Sequence, residues 1–210
     1  FLKVILKHHL EGINNQDQKV EIKAQKPLNN IFKPKLFGLV THKYLMVKPF
    51  TINIPEQIIK SIKFKVAKFP WQEMPNDSGW KYGTNINYMK KISKYWVKDF
   101  DWKEHEKKLN KFSNFISKVN GIDIHFIHEK GSGSNPTPLL LMHGWPGSIV
   151  EFLHIIDKLA HPEKFGGKEE DSFDVVVPSL PGFGFSGKPL RPLGPRKMAK
   201  ILNKLMYKNL

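Results

Sequence analysis

Cysteine is absent from the 210 residues. That excludes a disulfide framework, thiolate catalysis and Cys-ligated zinc together, and leaves the redox compartment open. Arginine is almost absent: among 34 basic residues only Arg191 and Arg196 carry a guanidinium. Base edges and phosphates are best gripped by arginine's planar fork. The lysines are also scattered instead of forming one dense stripe, so the net charge of +15 does not mark a nucleic-acid binder. It describes a lysine-biased, solvated surface of the kind that anionic membranes attract. Long apolar runs are missing too. Leu2 to Leu6 is apolar apart from Lys3, and the run ends at Lys7-His8-His9, far short of the roughly twenty residues a membrane-spanning helix needs. Whether that short run is the tail of an anchor or signal stays open.

What is present suffices for one folded unit. Apolar residues make up 40% of the chain, enough for a sizeable core in a globular domain. Residues 1 to 47 are polar, lysine-rich and weakly periodic, and read as a leader of uncertain structure. No internal repeat is visible, and Gly131-Ser132-Gly133-Ser134-Asn135 is the single low-complexity stretch. Order begins at Lys48 with a short extended run to Ile54. Pro55 opens a helix with Ile58, Ile62 and Val66 on one face, and Pro70 lies past its end. A second helix is expected from about Asn85 to Asp99, burying Ile86, Met89, Ser93 and Trp96. Asp101 followed by Glu104 has the spacing of a cap for a third helix, Trp102 to Asn110.

The pattern then changes. Phe115 to Val119 and Ile122 to His128 flank Asn120-Gly121, a strong two-residue hairpin signal. Ile122, Ile124 and Phe126 alternate with Asp123 and His125, as in a strand buried on one face. Leu139 to Met142 shows no alternation and reads as a central parallel strand buried on both faces. Ser148 and Glu151 have capping-box spacing at the start of a helix whose stripe is Ile149, Phe152, Leu153, Ile156 and Leu159. Phe173 to Val177 is a second buried strand, and Pro195 opens a helix with Met198, Ile201, Leu202 and Leu205 inward. This βαβα order is the first half of a doubly wound sheet.

Two elements carry chemistry. His143-Gly144-Trp145-Pro146-Gly147-Ser148 joins an apolar strand to a capped helix, at the strand's carboxyl end where ligands bind in such sheets. Gly144 lets the main chain approach a ligand closely, and Pro146 removes a donor and invites a cis Trp145-Pro146 bond that would aim the Trp145 N–H. That N–H would stabilise a developing negative charge, with the indole as an apolar wall. On spacing alone a plain strand-to-helix turn remains open. Pro178 to Ser186, a buried strand running into a Gly/aromatic loop, follows in the order and at the spacing of an α/β-hydrolase.

From about Lys48 onward the chain resembles the microsomal-type epoxide hydrolases, most closely the insect juvenile hormone epoxide hydrolases. The carrying segments are Lys48 to Ile52, Gly79 to Thr84, Tyr95-Trp96 followed by Asp101-Trp102, Gly121 to His128, His143 to Ser148, Pro178 to Ser186 and Gly194 to Lys197. Ser113 departs from the family's usual proline. The resemblance implies an α/β fold: the N-terminal half of an α/β-hydrolase doubly wound sheet, preceded by a helical epoxide-hydrolase N-terminal segment. Its division is a leader at 1–47, a helical region at 48–115 and the first half of the core at 116–210, with a hairpin, two parallel strands and two helices. It implies attack by an aspartate on a small lipophilic epoxide such as a juvenile hormone. Protons come from cap tyrosines, and a histidine backed by an acid then activates water to hydrolyse the ester. Trp145 would be one oxyanion donor, with His143, Gly144 and Pro146 supporting its turn. No cofactor or metal is implied. The endoplasmic reticulum membrane is the implied location, and the oligomeric state stays open.

No residue present replaces the missing groups. Gly184-Phe185-Ser186-Gly187 is one residue short of a Gly-x-Ser-x-Gly elbow, and Ser148 is better used as a cap. His125 and His128 point to opposite faces of a strand, and His105-Glu106-Lys107-Lys108 lacks the second histidine of a zinc-protease helix. The nucleophile, cap tyrosines, acid and base are therefore expected past Leu210, leaving Leu139 to Met142 at an open sheet edge and the 210 residues inactive and marginally stable. A truncated, non-catalytic paralogue acting through binding is the second reading; an esterase or haloalkane dehalogenase is the third.

Overall fold

The computed structural model describes residues 47–73, 75, 79–208 and 210. The expected leader at 1–47 lies outside these residues apart from Val47. Strand β1 is Lys48–Pro49, and three helices follow: α1 Glu56–Ala67, α2 Ile86–Lys98 and α3 Trp102–Leu109. The hairpin is β2 (Asn114–Val119) and β3 (Ile122–Glu129). Its two turn residues both take the left-handed conformation, Asn120 at φ 51° and Gly121 at φ 83°. This geometry matches the twist of the flanking strands, and Asn-Gly is the pair that tolerates it best. Next come β4 (Thr137–Leu140), β5 (Phe173–Pro178) and the closing helix α5 (Pro195–Lys208). Helix α4 (Ile156–Ala160) lies on the β4–β5 crossover.

The sheet order is β1-β2-β3-β5-β4. Only β4 and β5 run parallel, their connection crossing over through α4; the other pairs are antiparallel, and β2 and β3 are joined directly by the Asn120-Gly121 turn. On one face Ile124, Phe126 and Val176 pack with Ile201 and Leu205 of α5. On the other, Ile127, Val175 and Val177 pack with Ile52, Leu109, Ile149 and Ile156. Helix α5 therefore covers one face of the sheet, while α4 and the end of the helical lead-in cover the other.

Several expectations change in this setting. Ile124, His125, Phe126 and Ile127 are all buried, so β3 is covered on both faces and not on one. Strand β4 stops at Leu140, and its Leu139 and Leu140 are only half-buried, because among the described residues β5 alone flanks it. The helix expected after Ser148 is broken into a 3-10 turn, Ile149–Phe152, and the short α4. Ile149, Val150, Ile155 and Ile156 are β-branched and hold a continuous helix poorly. Helix α2 buries none of its residues, and Met89 and Trp96 of the expected core stripe stay exposed.

The lead-in is clasped to the core by α3. Asp101 caps α3 by accepting from the Lys103 N–H at 2.8 Å. Asn110 then pairs with Ile52 as a strand would, accepting its N–H at 2.9 Å and donating to its carbonyl at 2.8 Å. Glu106 is buried. Its carboxylate accepts from the Ile54 N–H at 2.7 Å, the Trp102 indole at 3.0 Å and the Lys103 ammonium at 2.7 Å. Burial pushes its pKa up, but the three donors outweigh that and hold it below the usual carboxylate range. Glu106→Ala should therefore strand the Ile54 N–H and the Trp102 indole, while Lys103 keeps the Ile54 carbonyl at 2.8 Å, and destabilise the chain by about 2 kcal/mol, since a carboxylate so placed contributes more than an exposed pair. Urea denaturation of Glu106→Ala beside Glu104→Ala, an exposed first-turn control, measures this.

Candidate active site

After β4 the chain stays on the sheet for one more residue, Leu141 donating its N–H to the Val176 carbonyl at 2.9 Å. It then enters the turn at His143. The His143 ring is buried, 4% exposed, and bridges two loops. Its Nε2 accepts from the Leu180 N–H at 3.1 Å, which leaves the ring proton on Nδ1, directed at the Gly144 carbonyl at 3.1 Å. Phe183 stacks edge-on against the ring with centroids 5.4 Å apart. The Gly144 carbonyl also accepts from the Gly147 N–H at 2.7 Å. One buried imidazole thus couples the strand-to-helix turn to the loop after β5.

The turn's far side is set by Ser148 and Glu151, which form the expected capping box. Ser148 Oγ accepts from the Val150 N–H at 3.3 Å, and Glu151 Oε1 accepts from the Ser148 N–H at 3.0 Å. A Cβ on Gly147 would lie 1.5 Å from Glu151 Oε1, so glycine there leaves the space the box carboxylate fills. Between these anchors the Trp145–Pro146 bond is cis and Trp145 is 83% exposed. Among the described residues nothing accepts a hydrogen bond from the Trp145 N–H. A Cβ on Gly144 would meet no atom within 4 Å, so that stretch of main chain is open to an approaching group.

The loop after β5 is pinned from below by His125. The Asn114 amide nitrogen donates to the Leu109 and Phe112 carbonyls at 2.9 and 2.8 Å. Its oxygen is therefore the acceptor for His125 Nε2–H at 3.0 Å. The other ring nitrogen must then accept, and Ser179 Oγ–H donates to Nδ1 at 3.0 Å. Ser186 closes the loop, its hydroxyl accepting from the His125 N–H at 3.0 Å and donating to the Ser179 carbonyl at 2.7 Å. Gly184 sits at φ 48° and a Cβ there would lie 2.7 Å from Ser179 Oγ, so both backbone and space call for glycine. Phe50 and Phe185 enclose the imidazole at 5.2 and 5.1 Å.

The structure thus brings His143 together with Leu180 and Phe183 of the Gly/aromatic loop, and leaves Trp145 outward. It keeps the remaining histidines apart. His128 lies 3.8 Å from Asp174 and His105 stacks on Phe100 at 4.6 Å, and among the described residues no group of three His, Asp or Glu could hold a metal. The His125–Ser179–Asn114 relay was not foreseen from sequence. Its one sequence signal was the pair of hydroxyls, Ser179 and Ser186, in an otherwise Gly/aromatic loop.

Burial pushes the His125 pKa down from 6.5 to about 4, and burial lowers His128 as well, outweighing the pull of Asp174. The unfolded chain therefore takes up these protons first. The stability tied to neutral His125 should be fully present above about pH 6.5 and lost as pH falls toward 4, about 3 kcal/mol over that window. Denaturant titrations between pH 4 and 7.5 should show that slope, and His125→Gln should flatten it.

Comparison with known proteins agrees with this geometry. Residues 47–152 match the family model described as epoxide hydrolase N terminus, and residues 137–209 match the model for the alpha/beta hydrolase fold. Epoxide hydrolase 1 of Sus scrofa is 42% identical over 144 residues, 67% of this chain and 32% of that protein. The structure of Aspergillus niger epoxide hydrolase aligns with TM-score 0.70 at 30% identity, covering 79% of this chain and 44% of its own. The juvenile hormone epoxide hydrolase of the silkworm Bombyx mori aligns with TM-score 0.69 at 33% identity, covering 78% and 39%. The chain spans about a third of the length of the curated relatives it matches.

Proposed function

The chain belongs to the epoxide hydrolase family, and we propose that it carries one half of the oxyanion site of an enzyme that converts lipophilic epoxides, such as a juvenile hormone, to diols. The observation that carries this reading is the unpartnered Trp145 N–H, set on an exposed turn at the carboxyl end of a parallel strand. A donor already satisfied within the protein could not stabilise new charge; this one is free. His143 holds the turn from beneath, Gly144 leaves the approach open, and Pro146 contributes no competing N–H. The Trp145 ring supplies an apolar wall for the substrate.

In this reading an aspartate opens the epoxide to an enzyme ester, and histidine-activated water hydrolyses the ester. The Trp145 N–H donates a hydrogen bond to the oxyanion of that second step. The aspartate, its histidine and acid, and the proton-donating tyrosines are assigned to residues outside these 210. The reaction uses no metal or cofactor, and nucleic acid has no part in it. The endoplasmic reticulum membrane is the location that goes with this reading; among the described residues no helix is long and apolar enough to cross a membrane.

The 210-residue chain by itself should form no diol from any epoxide. Diol formation that vanished on mutating a residue within it would overturn the assignment of the nucleophile. The role of Trp145 is tested by grafting residues 47–208 in place of the matching segment of the Bombyx mori enzyme. Trp145→Phe keeps the N–H and should keep activity. Trp145→Pro deletes the N–H and should lower kcat by about 10²–10³ with little change in KM. Equal activity of the two variants would sink the oxyanion role.

A further inference from the structure

The candidate oxyanion donor belongs to a peptide unit that is held at its other end. The Gly144–Trp145 peptide is trans and planar, so the Trp145 N–H points opposite to the Gly144 carbonyl and turns only with it. Two donors hold that carbonyl, the His143 Nδ1–H at 3.1 Å and the Gly147 N–H at 2.7 Å. The His143 proton stays on Nδ1 because the Leu180 N–H occupies the lone pair of Nε2 at 3.1 Å. Leu180 N–H is in turn one end of a second peptide unit, whose other end is the Ser179 carbonyl. That carbonyl accepts from the Ser186 hydroxyl at 2.7 Å, and the same hydroxyl accepts from the His125 N–H at 3.0 Å. Ser179 is fastened to β3 twice more, its N–H to the His125 carbonyl at 2.9 Å and its hydroxyl to the His125 ring at 3.0 Å. Two planar units are thus joined through one buried imidazole, and the second is anchored on β3.

We propose that Ser186 and His143 are positioning residues for the Trp145 N–H, Ser186 acting through the Ser179–Leu180 peptide and then through His143. The proposal rests on the oxyanion role given to Trp145 above. Turning the Ser179–Leu180 unit away from Ser186 swings the Leu180 N–H off Nε2. With that lone pair unoccupied, the imidazole proton is no longer confined to Nδ1 and its bond to Gly144 weakens. The Gly144–Trp145 unit then keeps only the Gly147 N–H and tilts about it. Hydrogen bonds weaken steeply as their angle closes, so a small tilt is enough to misaim the donor. The Ser186 hydroxyl is not needed merely to close its loop. Backbone bonds do that, Gly182 N–H to the Gly187 carbonyl at 3.0 Å and Gly187 N–H to the Asp123 carbonyl at 2.7 Å. A hydroxyl that only held the loop together would act independently of His143; one that aims Trp145 has no effect once His143 is cut out.

Residual dipolar couplings of the ¹⁵N-labelled 210-residue chain measure the direction of each backbone N–H. Ser186→Ala and His143→Gln should each change the Trp145 coupling. Those of β3 and β5 should hold, showing an intact sheet. Glutamine still offers an oxygen to Leu180 but no proton to Gly144, so it cuts the link at its last step. The second arm uses the graft of residues 47–208 into the Bombyx mori enzyme. There Ser186→Ala should lower kcat about fivefold with KM unchanged, the scale of one hydrogen bond. Ser186→Thr, which keeps the hydroxyl, should restore it. His143→Gln should lower kcat by about tenfold or more, and adding Ser186→Ala to it should cost nothing further. An unchanged Trp145 coupling in either variant, or losses that simply multiply in the double variant, would overturn the proposal. A changed coupling with unchanged kcat would support the positioning link and overturn the oxyanion role instead.

Discussion

The neutral imidazole of His125 is the constraint on which the upper end of the sheet depends. It belongs to β3, yet its two nitrogens fasten Asn114 of β2 on one side and Ser179 beyond β5 on the other. Asn114 in turn holds the carbonyls of Leu109 and Phe112, where α3 ends. Helical lead-in, hairpin and Gly/aromatic loop therefore share one buried hydrogen-bond relay. Such a relay is all or nothing. With every donor and acceptor paired it fixes one arrangement of loops, and with one partner removed it leaves a polar group stranded in an apolar core. His143 repeats the logic one layer higher, joining Leu180 to Gly144 through a single proton placement.

This division of labour explains why the candidate oxyanion donor can be so exposed and still be placed. Trp145 is held by neither packing nor a hydrogen bond of its own. Its position follows from what lies on either side: the His143 ring before it, and the Ser148–Glu151 box after it. The rigid parts are polar and local, and the reactive part is left free. Site geometry built from supporting bonds instead of contacts to the donor itself is what a group meant to bind something external requires.

Local features were readable from the residues because their causes are local. Asn120-Gly121 makes its turn through backbone freedom that any reader of the sequence can see, and Ser148 with Glu151 makes its box through spacing. The turn at His143 was legible for the same reason. What escaped depends on neighbours far along the chain. His125 alternates with isoleucines and so looks like the wet side of a strand, until Phe50 and Phe185 enclose it and Asn114 and Ser179 supply partners. Met89 and Trp96 look like core because they share a stripe, but among the described residues no layer packs over that stripe and both stay exposed. The helix after Ser148 breaks where a run of β-branched residues weakens it, a tendency too slight to outweigh periodicity when only the sequence is in view.

Among the described residues, both outermost strands of the sheet carry a proline, and hydrogen bonding shows which way each one points. Phe50 donates its N–H inward to Asn114, and Leu141 donates inward to Val176. Alternation along the strands then turns the nitrogens of Pro49 and Pro138 outward, where an added strand would look for a donor. Each margin is also short, two residues in β1 and four in β4. A sheet bounded in this way offers a poor template for stacking copies of itself edge to edge. Among the described residues, the valines and isoleucines of β3 and β5 thus lie inside a sheet whose two outermost strands each carry this interruption in the backbone.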